Sequence, residues 1–322
     1  MKILLTGVAG FIASKTAELL LKEGHEVVGL DNLNDYYDIN LKDYRLDTLK
    51  NVNNFTFYKA DIENLSELDS IFKKHKFDAV MNLAARAGVR YSIENPDIYV
   101  STNMQGNLNL LNLCKKYSIK KYVLASTSSL YAGKPMPFLE SLDVSEPISP
   151  YAATKKGAEA MCYTYHHLYD IDVSIVRYFT VYGPLSRPDM AQLRFMKWID
   201  NNEAIDLYGD GEQARDFTHV TDIALGSIAA LKDLGFEIIN LGGGQNPISV
   251  NTMINKFESL LNKKASIKHL PFNKADMEVT FADISKAKRL LNWEPKISFD
   301  EGILDCVKHY KDHYDFYKTI RL

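Results

Sequence analysis

The most constraining feature of the chain comes at its start. An apolar run from Ile3 to Thr6 leads directly into Gly7-x-x-Gly10-x-x-Ala13, and helical periodicity follows from about Phe11 until just before Gly24. A strand that turns on glycine into a helix brings backbone close to a ligand. It also leaves the first N–H groups of the helix free for a pyrophosphate, and a small residue such as Ala13 lets helix and sheet approach. Gly24 suits the C-terminal cap of that helix.

Further short apolar runs recur between helical segments: Glu26 to Leu30, Phe55 to Tyr58, Ala79 to Leu83, Tyr122 to Ser126 and Val173 to Phe179. This alternation predicts an α/β fold with a doubly wound parallel sheet. One helix is expected from about Asp97 to Tyr117, started by Pro96 and carrying Leu108, Leu111 and Cys114 on one side. Another follows Pro150, with Tyr151, Lys155, Glu159 and Tyr163 at one-turn spacing. After Phe179 the alternation fades into stretches punctuated by Gly183, Pro184, Pro188, Gly209 and Gly211. Residues 1–180 are therefore expected to form the dinucleotide-binding domain, with 215–245 returning to it. Residues 181–214 and 246–322 are expected to form mainly a smaller substrate-binding domain, including helices at about Val250 to Leu261 and Ile284 to Leu290.

Asp31, at the end of the second strand, can accept hydrogen bonds from the adenosine ribose hydroxyls, whereas a 2′-phosphate there would be repelled; NAD rather than NADP is expected. Phe11 and Ile12 at the helix start and Asn32 beside Asp31 belong to the same cofactor set. Asp61 and Ile62, past the third strand, fit an adenine edge or a helix cap. Leu83, Ala84 and Ala85, past the fourth, fit a close wall or plain core packing.

The candidate chemistry sits on the helix after Pro150. Tyr151 and Lys155 lie one turn apart, and an ammonium near a phenol favours the phenolate, bringing a poor base toward working pH. A YxxxK pair alone is common; the hydroxyl-rich strand end Ser126, Thr127, Ser128 and Ser129 supplies the context, because ligands of such sheets lie beyond the carboxyl ends of the strands. Thr127 and Ser128 join Tyr151 and Lys155 as catalytic candidates. Asn103 could support a proton path near Lys155 or be a buried structural amide.

Composition narrows the field further. The 322 residues carry 38 Lys and Arg against 41 Asp and Glu, a net charge of −3, so no basic excess is available for nucleic acid. No apolar stretch approaches the roughly 18 residues of a membrane span. The opening strand leaves no room for a basic leader, and Cys114, Cys162 and Cys306 are widely separated. Both features point to a cytoplasmic protein with reduced core thiols. His309 and His313 have helical spacing but no Glu in a zinc pattern between them, so no metal is expected.

Several blocks together carry a resemblance. GVAGFIA (7–13), DNLNDYY (31–37), AARAGVRYS (84–92), YAATKKGAE (151–159), RYFTVYGP (177–184), RPDMA (187–191) and RDFTHVTDI (215–223) resemble those of the extended short-chain dehydrogenases/reductases, and within them the UDP-glucuronate 4-epimerase branch. The similarity covers nearly the whole chain, and RPDMA is the sharpest mark of the branch. The resemblance implies a Rossmann fold, a tightly held NAD and a transient 4-keto sugar, with UDP-glucuronate and UDP-galacturonate as substrate and product. It also implies that Phe179 walls the nicotinamide, that Arg215 contacts the UDP phosphates and that Asp276 contacts the uridine ribose. A homodimer through helices containing Asn103 to Cys114 and Tyr151 to Tyr169 is implied as well.

Charge speaks to the substrate. Arg187 offers a planar fork suited to a carboxylate, and the resemblance implies that it, Thr180 and the hydroxyls of Thr127, Ser128 and Ser129 line the C6 end of the sugar. Neutral-hexose relatives usually have Asn at the Thr180 position, and the 4,6-dehydratases have an Asp-Glu pair after Thr127. Related decarboxylases have a Glu near Ser129. Asn273 stands where many neutral-sugar relatives have Arg, so it is not counted as a phosphate clamp. The alternatives are a 4-epimerase of UDP-galactose or UDP-N-acetylhexosamine, and a noncatalytic NAD-binding structural or regulatory protein.

Overall fold

The computed structural model describes residues 1–244, 247–271 and 277–322. The first strand and helix form as the opening motif predicts: β1 (Lys2–Thr6) leads into α1 (Phe11–Lys22), and Gly24 takes a left-handed conformation, φ +82°. They are followed by β2 (Glu26–Asp31), α2 (Ile39–Lys50), β3 (Phe55–Lys59), α3 (Leu65–Lys74), β4 (Ala79–Asn82), β5 (Lys121–Thr127) and β6 (Asp172–Tyr178). The central strands β1, β4 and β5 are almost entirely buried because helices cover both faces of the sheet.

The sheet has seven parallel strands in the order Phe236–Leu241, β6, β5, β4, β1, β2, β3. This is the doubly wound order, and its direction reverses between β1 and β4. The crevice outside that point is where such sheets bind ligands. Phe236–Leu241 joins this layer by pairing with β6, and the helix Val220–Ala229 packs on α1, its Ser227 hydroxyl 2.7 Å from that of Tyr178. A second core, with Phe195, Ile205, Phe257, Ile303 and Tyr310 among its members, holds together the smaller, mostly helical C-terminal unit.

The single helix expected over Asp97–Tyr117 is a correction. The chain forms Pro96–Tyr99, then a π-helical stretch Val100–Gly106, then Asn107–Lys116. Tertiary contacts at the wide turn account for it. A Cβ on Gly106 would lie 2.5 Å from Ile62 Cδ1, and the Asn103 amide is drawn out to the backbone of Arg86.

Behind the carboxyl end of β5 lies a buried network. Arg177 donates to Glu159 through Nε (2.9 Å) and Nη2 (2.7 Å) and to the Tyr131 hydroxyl through Nη1 (2.7 Å). The Ser126 hydroxyl joins it, donating to Glu159 at 2.6 Å. Buried charge is tolerated here because each partner is paired and hydrogen-bonded. The three cysteines are buried and free, and burial pushes their thiols up, Cys162 to about 12. The rings of His309 and His313 lie 4.4 Å apart, tilted by 40°, and burial together with His313 pushes His309 down to about 4. No group of three metal-ligating side chains occurs among the described residues, and no described helix is long and apolar enough to cross a membrane.

Candidate active site

A cleft of about 850 Å³ opens along the carboxyl edge of the sheet, running from Gly7 to the smaller unit at Trp198 and Arg215. At the β1 end the chain turns on Gly7, φ +71°, where an added Cβ would meet Ala84 Cα at 2.8 Å. Gly10 donates to the Gly7 carbonyl at 2.7 Å and precedes α1 without any side-chain cap, so Phe11 and Ile12 begin a helix whose first amides stay open to an anion. Asp31 accepts from the amides of Ala9 (3.1 Å) and Leu33 (2.9 Å), with Lys42 Nζ 4.0 Å away. A carboxylate has about four lone-pair sites, so acceptor capacity remains for a diol. Asn32 donates to Asp61 at 2.7 Å, tying the ends of β2 and β3, while Ile62, Leu83, Ala84 and Ala85 line the cleft beside them. The open helix start and the cradle that a Cβ would fill fit NAD.

Gly7→Ala combines a strained φ with a backbone clash. It is expected to lower folding stability by more than about 1 kcal/mol and to abolish cofactor retention, read by urea unfolding and by the NAD released from the purified protein. Wild-type retention would contradict this account of the turn.

Ser149 caps the helix Pro150–Tyr169 by accepting from the Ala152 amide at 3.2 Å, which sets Tyr151 and Lys155 against the cleft. The Thr127 hydroxyl acts on the Tyr151 phenol, and both line the cleft. Thr127 in turn donates to Ser129 Oγ and accepts from the Ser129 amide, both at 3.1 Å. The Tyr99 ring stands edge-on to Tyr151 at 6.0 Å. Burial pushes the Tyr151 phenol up, and the Thr127 hydroxyl and the Arg187 guanidinium pull it back. Arg187 thus exerts a pull toward phenolate of the kind expected of Lys155.

Lys155 is itself pushed down to about 8 by burial, opposed chiefly by Glu159. A buried lysine with a depressed pKa costs stability in full below pH 8; the cost fades as pH rises from 8 toward the ordinary 10.5, because only the unfolded chain stays protonated in that window. Lys155→Met is therefore expected to stabilise the cofactor-free protein by about 1 kcal/mol or more at pH 7, a gain that shrinks above pH 8. Urea unfolding across pH checks this, and a destabilised variant at pH 7 would contradict it.

Asn103 lies 3% exposed but serves the backbone: its Oδ1 accepts from the Arg86 amide (2.9 Å), and its Nδ2 donates to the Arg86 carbonyl (3.0 Å) and to Thr154 Oγ1 (3.1 Å). Those partners describe a clamp on the loop after β4. Ser128, Ser129, Phe179, Thr180 and Arg187 all line the cleft. Arg215 lines it too, with Nη1 donating to the carbonyls of Ala214 (2.9 Å) and Glu278 (3.1 Å). Asp276 and Asn273 fall outside the described residues.

Other side chains at the cleft were not read from the sequence. Asp189 pairs with Arg187, and Tyr36 lies between two guanidiniums, those of Arg86 and Arg187, each 5.8 Å from its ring centre. Arg194 stacks on Trp198 at 4.5 Å. The i, i+4 spacing of Arg194 and Trp198 was a usable signal; the others meet only through the fold.

A family model described as GDP-mannose 4,6 dehydratase matches residues 4–306. The chain is 58% identical over 319 residues to a UDP-glucuronate 4-epimerase of Thermodesulfobacterium geofontis, covering 99% of each. Among solved structures it is similar to the Bacillus cereus UDP-glucuronic acid 4-epimerase in complex with UDP-glucuronic acid and NAD, with 36% identity and a TM-score of 0.91 over 98% of this chain and 100% of that one. It is also similar to a Thermotoga maritima UDP-glucose 4-epimerase with UDP-glucose, with 30% identity and a TM-score of 0.89 over 98% and 100%.

Proposed function

The chain belongs to the NAD-dependent epimerase/dehydratase family of extended short-chain dehydrogenases/reductases, and from that premise we propose that its cleft interconverts UDP-glucuronate and UDP-galacturonate by inversion at C4. Bound NAD supplies a reversible acceptor for the C4 hydride. Gly7, Gly10 and the start of α1 hold the pyrophosphate, and Asp31 holds the adenosine ribose. Tyr151, steadied by Thr127, takes the O4 proton and returns it after the sugar has turned its other face, so one phenol serves both half-reactions.

The observation that carries the uronate assignment is that Arg187 lines the same cleft as Tyr151, Thr127, Ser128 and Ser129. Beside a neutral hexose that guanidinium would face a hydroxymethyl group, whereas a C6 carboxylate pairs with it. Ser128 and Ser129 provide hydroxyl donors where dehydration would need a carboxyl pair. The 4-keto uronate is a β-keto acid, and Arg187, Thr180 and the hydroxyl row keep its C5–C6 bond away from the carbonyl π system, so that carbon dioxide is retained. A homodimer belongs to the same reading. Tyr163 and Leu168, 55% and 58% exposed on the helix Pro150–Tyr169, are apolar surface available to it, and sedimentation as a monomer at micromolar concentration would count against it.

Purified protein given UDP-glucuronate, with products separated, tests the assignment. UDP-galacturonate is expected as the main product, at a kcat/KM at least about 100-fold above that for UDP-glucose, since a site built around a charged group rejects an analogue lacking it. Equal turnover of both substrates would overturn it.

A further inference from the structure

Arg187 is gripped from one side. Asp189 Oδ1 accepts from its Nε at 3.0 Å and Asp189 Oδ2 from its Nη2 at 2.6 Å, the two-bond geometry of a strong arginine–carboxylate pair. A guanidinium carries five N–H donors. The side-on pair uses two and leaves the end-on edge, made of both Nη1 hydrogens and the second Nη2 hydrogen. Nη1 donates to no described residue, and the guanidinium rests over the Tyr36 ring at 5.8 Å. Both members of the pair line the cleft. A partly exposed ion pair between loop residues contributes little to stability, so its consequence lies in direction.

We propose that Asp189 is a positioning residue for carboxylate recognition: it fixes the plane of the Arg187 guanidinium so that the end-on edge presents two parallel donors to the C6 carboxylate of the sugar. This rests on the UDP-uronate reading of the cleft. Pinning C6 through that edge decides the fate of the 4-keto sugar. If C6 swings into line with the carbonyl π system, the C5–C6 bond breaks and carbon dioxide leaves. The electron pair passes through C5 to the C4 oxygen as an enolate, and C5 then takes a proton from water. With Asp189 in place the guanidinium has one orientation, and the C6 carboxylate meets the same pair of donors. Without it Arg187 keeps its charge but can rotate about its side-chain torsions.

The opposite role, a carboxylate that merely competes with substrate for Arg187, makes an opposite prediction. Removing a competitor tightens uronate binding, whereas removing a positioning group weakens it. The test uses the full chain loaded with NAD, as wild type, Asp189→Asn and Asp189→Glu, with UDP-glucuronate labelled with heavy carbon at C6. Carbon dioxide released per epimerisation is expected to rise about tenfold in Asp189→Asn, the scale set by small misplacements of a reacting group. KM for UDP-glucuronate is expected to rise, KM for UDP-glucose to stay within about twofold, and Asp189→Glu to recover toward wild type. Asp189→Ser repeats the measurement should the amide variant fail to fold. Tighter uronate binding, an unchanged carbon dioxide fraction, or equal impairment of the Asn and Glu variants would overturn the proposal while leaving the epimerase reading intact. A wild-type protein that does not convert UDP-glucuronate would overturn both.

Discussion

Replacing Tyr151 with Phe is expected to slow UDP-glucuronate turnover by roughly 10²- to 10⁴-fold, the usual contribution of a positioned general acid–base. The ring survives in the variant, so its edge-on packing with Tyr99 at 6.0 Å is kept. Thr127 also keeps its partner, Ser129 Oγ at 3.1 Å, so no buried hydroxyl is orphaned. NAD retention and the dissociation constant for UDP-glucuronate are accordingly expected to stay within about threefold of wild type, because the substitution removes only a neutral hydroxyl. Single-turnover kinetics beside calorimetric binding separate the two effects. Near-normal turnover would remove Tyr151 from the chemistry; a collapse of binding equal to the loss in rate would make it a structural residue.

Arg187→Ala is the second large expectation. Truncating one partner of a desolvated charge pair costs about 2–5 kcal/mol. At 1.36 kcal/mol per decade this is roughly a 30-fold to several-thousandfold fall in kcat/KM for UDP-glucuronate. UDP-glucose, which has no carboxylate to lose its partner, is expected to change by less than about tenfold. NAD retention is expected to hold, since Gly7, Gly10 and Asp31 lie at the other end of the cleft. A second signature follows from the electrostatics. Burial already pushes the Tyr151 phenol up and Arg187 pulls it down, so deleting the guanidinium raises the phenol further and is expected to move the pH optimum of the residual activity upward. Equal losses for the two sugars, or an optimum displaced to lower pH, would contradict the placement of Arg187.

The parts legible in the sequence are those carried by local chemistry. Gly7 and Gly10 announce a strand–turn–helix because few other residues fit there, and Pro150 announces the helix that carries Tyr151 and Lys155. The helix Ile39–Lys50 is harder to read because Lys42 and Arg45 point inward, 4% and 1% exposed, and blur its apolar stripe. Arg45 is held there by partners far along the chain, the carbonyls of Ala9 (3.0 Å) and Leu185 (2.6 Å). The π-helical turn at Val100–Gly106 likewise answers to Ile62 and Arg86, which no local pattern reveals. Asn103 is buried, and its amide meets the backbone of Arg86 and the hydroxyl of Thr154, partners that only the fold brings to it. Asp189 lies in plain view inside the RPDMA block. Its pairing with Arg187 is not legible there, because residues two apart in a loop follow no periodic rule that brings them together.

The C4 chemistry is tested most directly with UDP-glucuronate carrying deuterium at C4, incubated with the NAD-loaded protein in ordinary water until epimerised. UDP-galacturonate that keeps the deuterium at C4 is the expected product, because the hydrogen leaves to and returns from the bound nicotinamide without exchanging with water. Complete loss of the label to water, with inversion still occurring, would mean that C4 is deprotonated rather than oxidised, and would contradict both the proton transfer by Tyr151 and the hydride transfer to the bound nicotinamide.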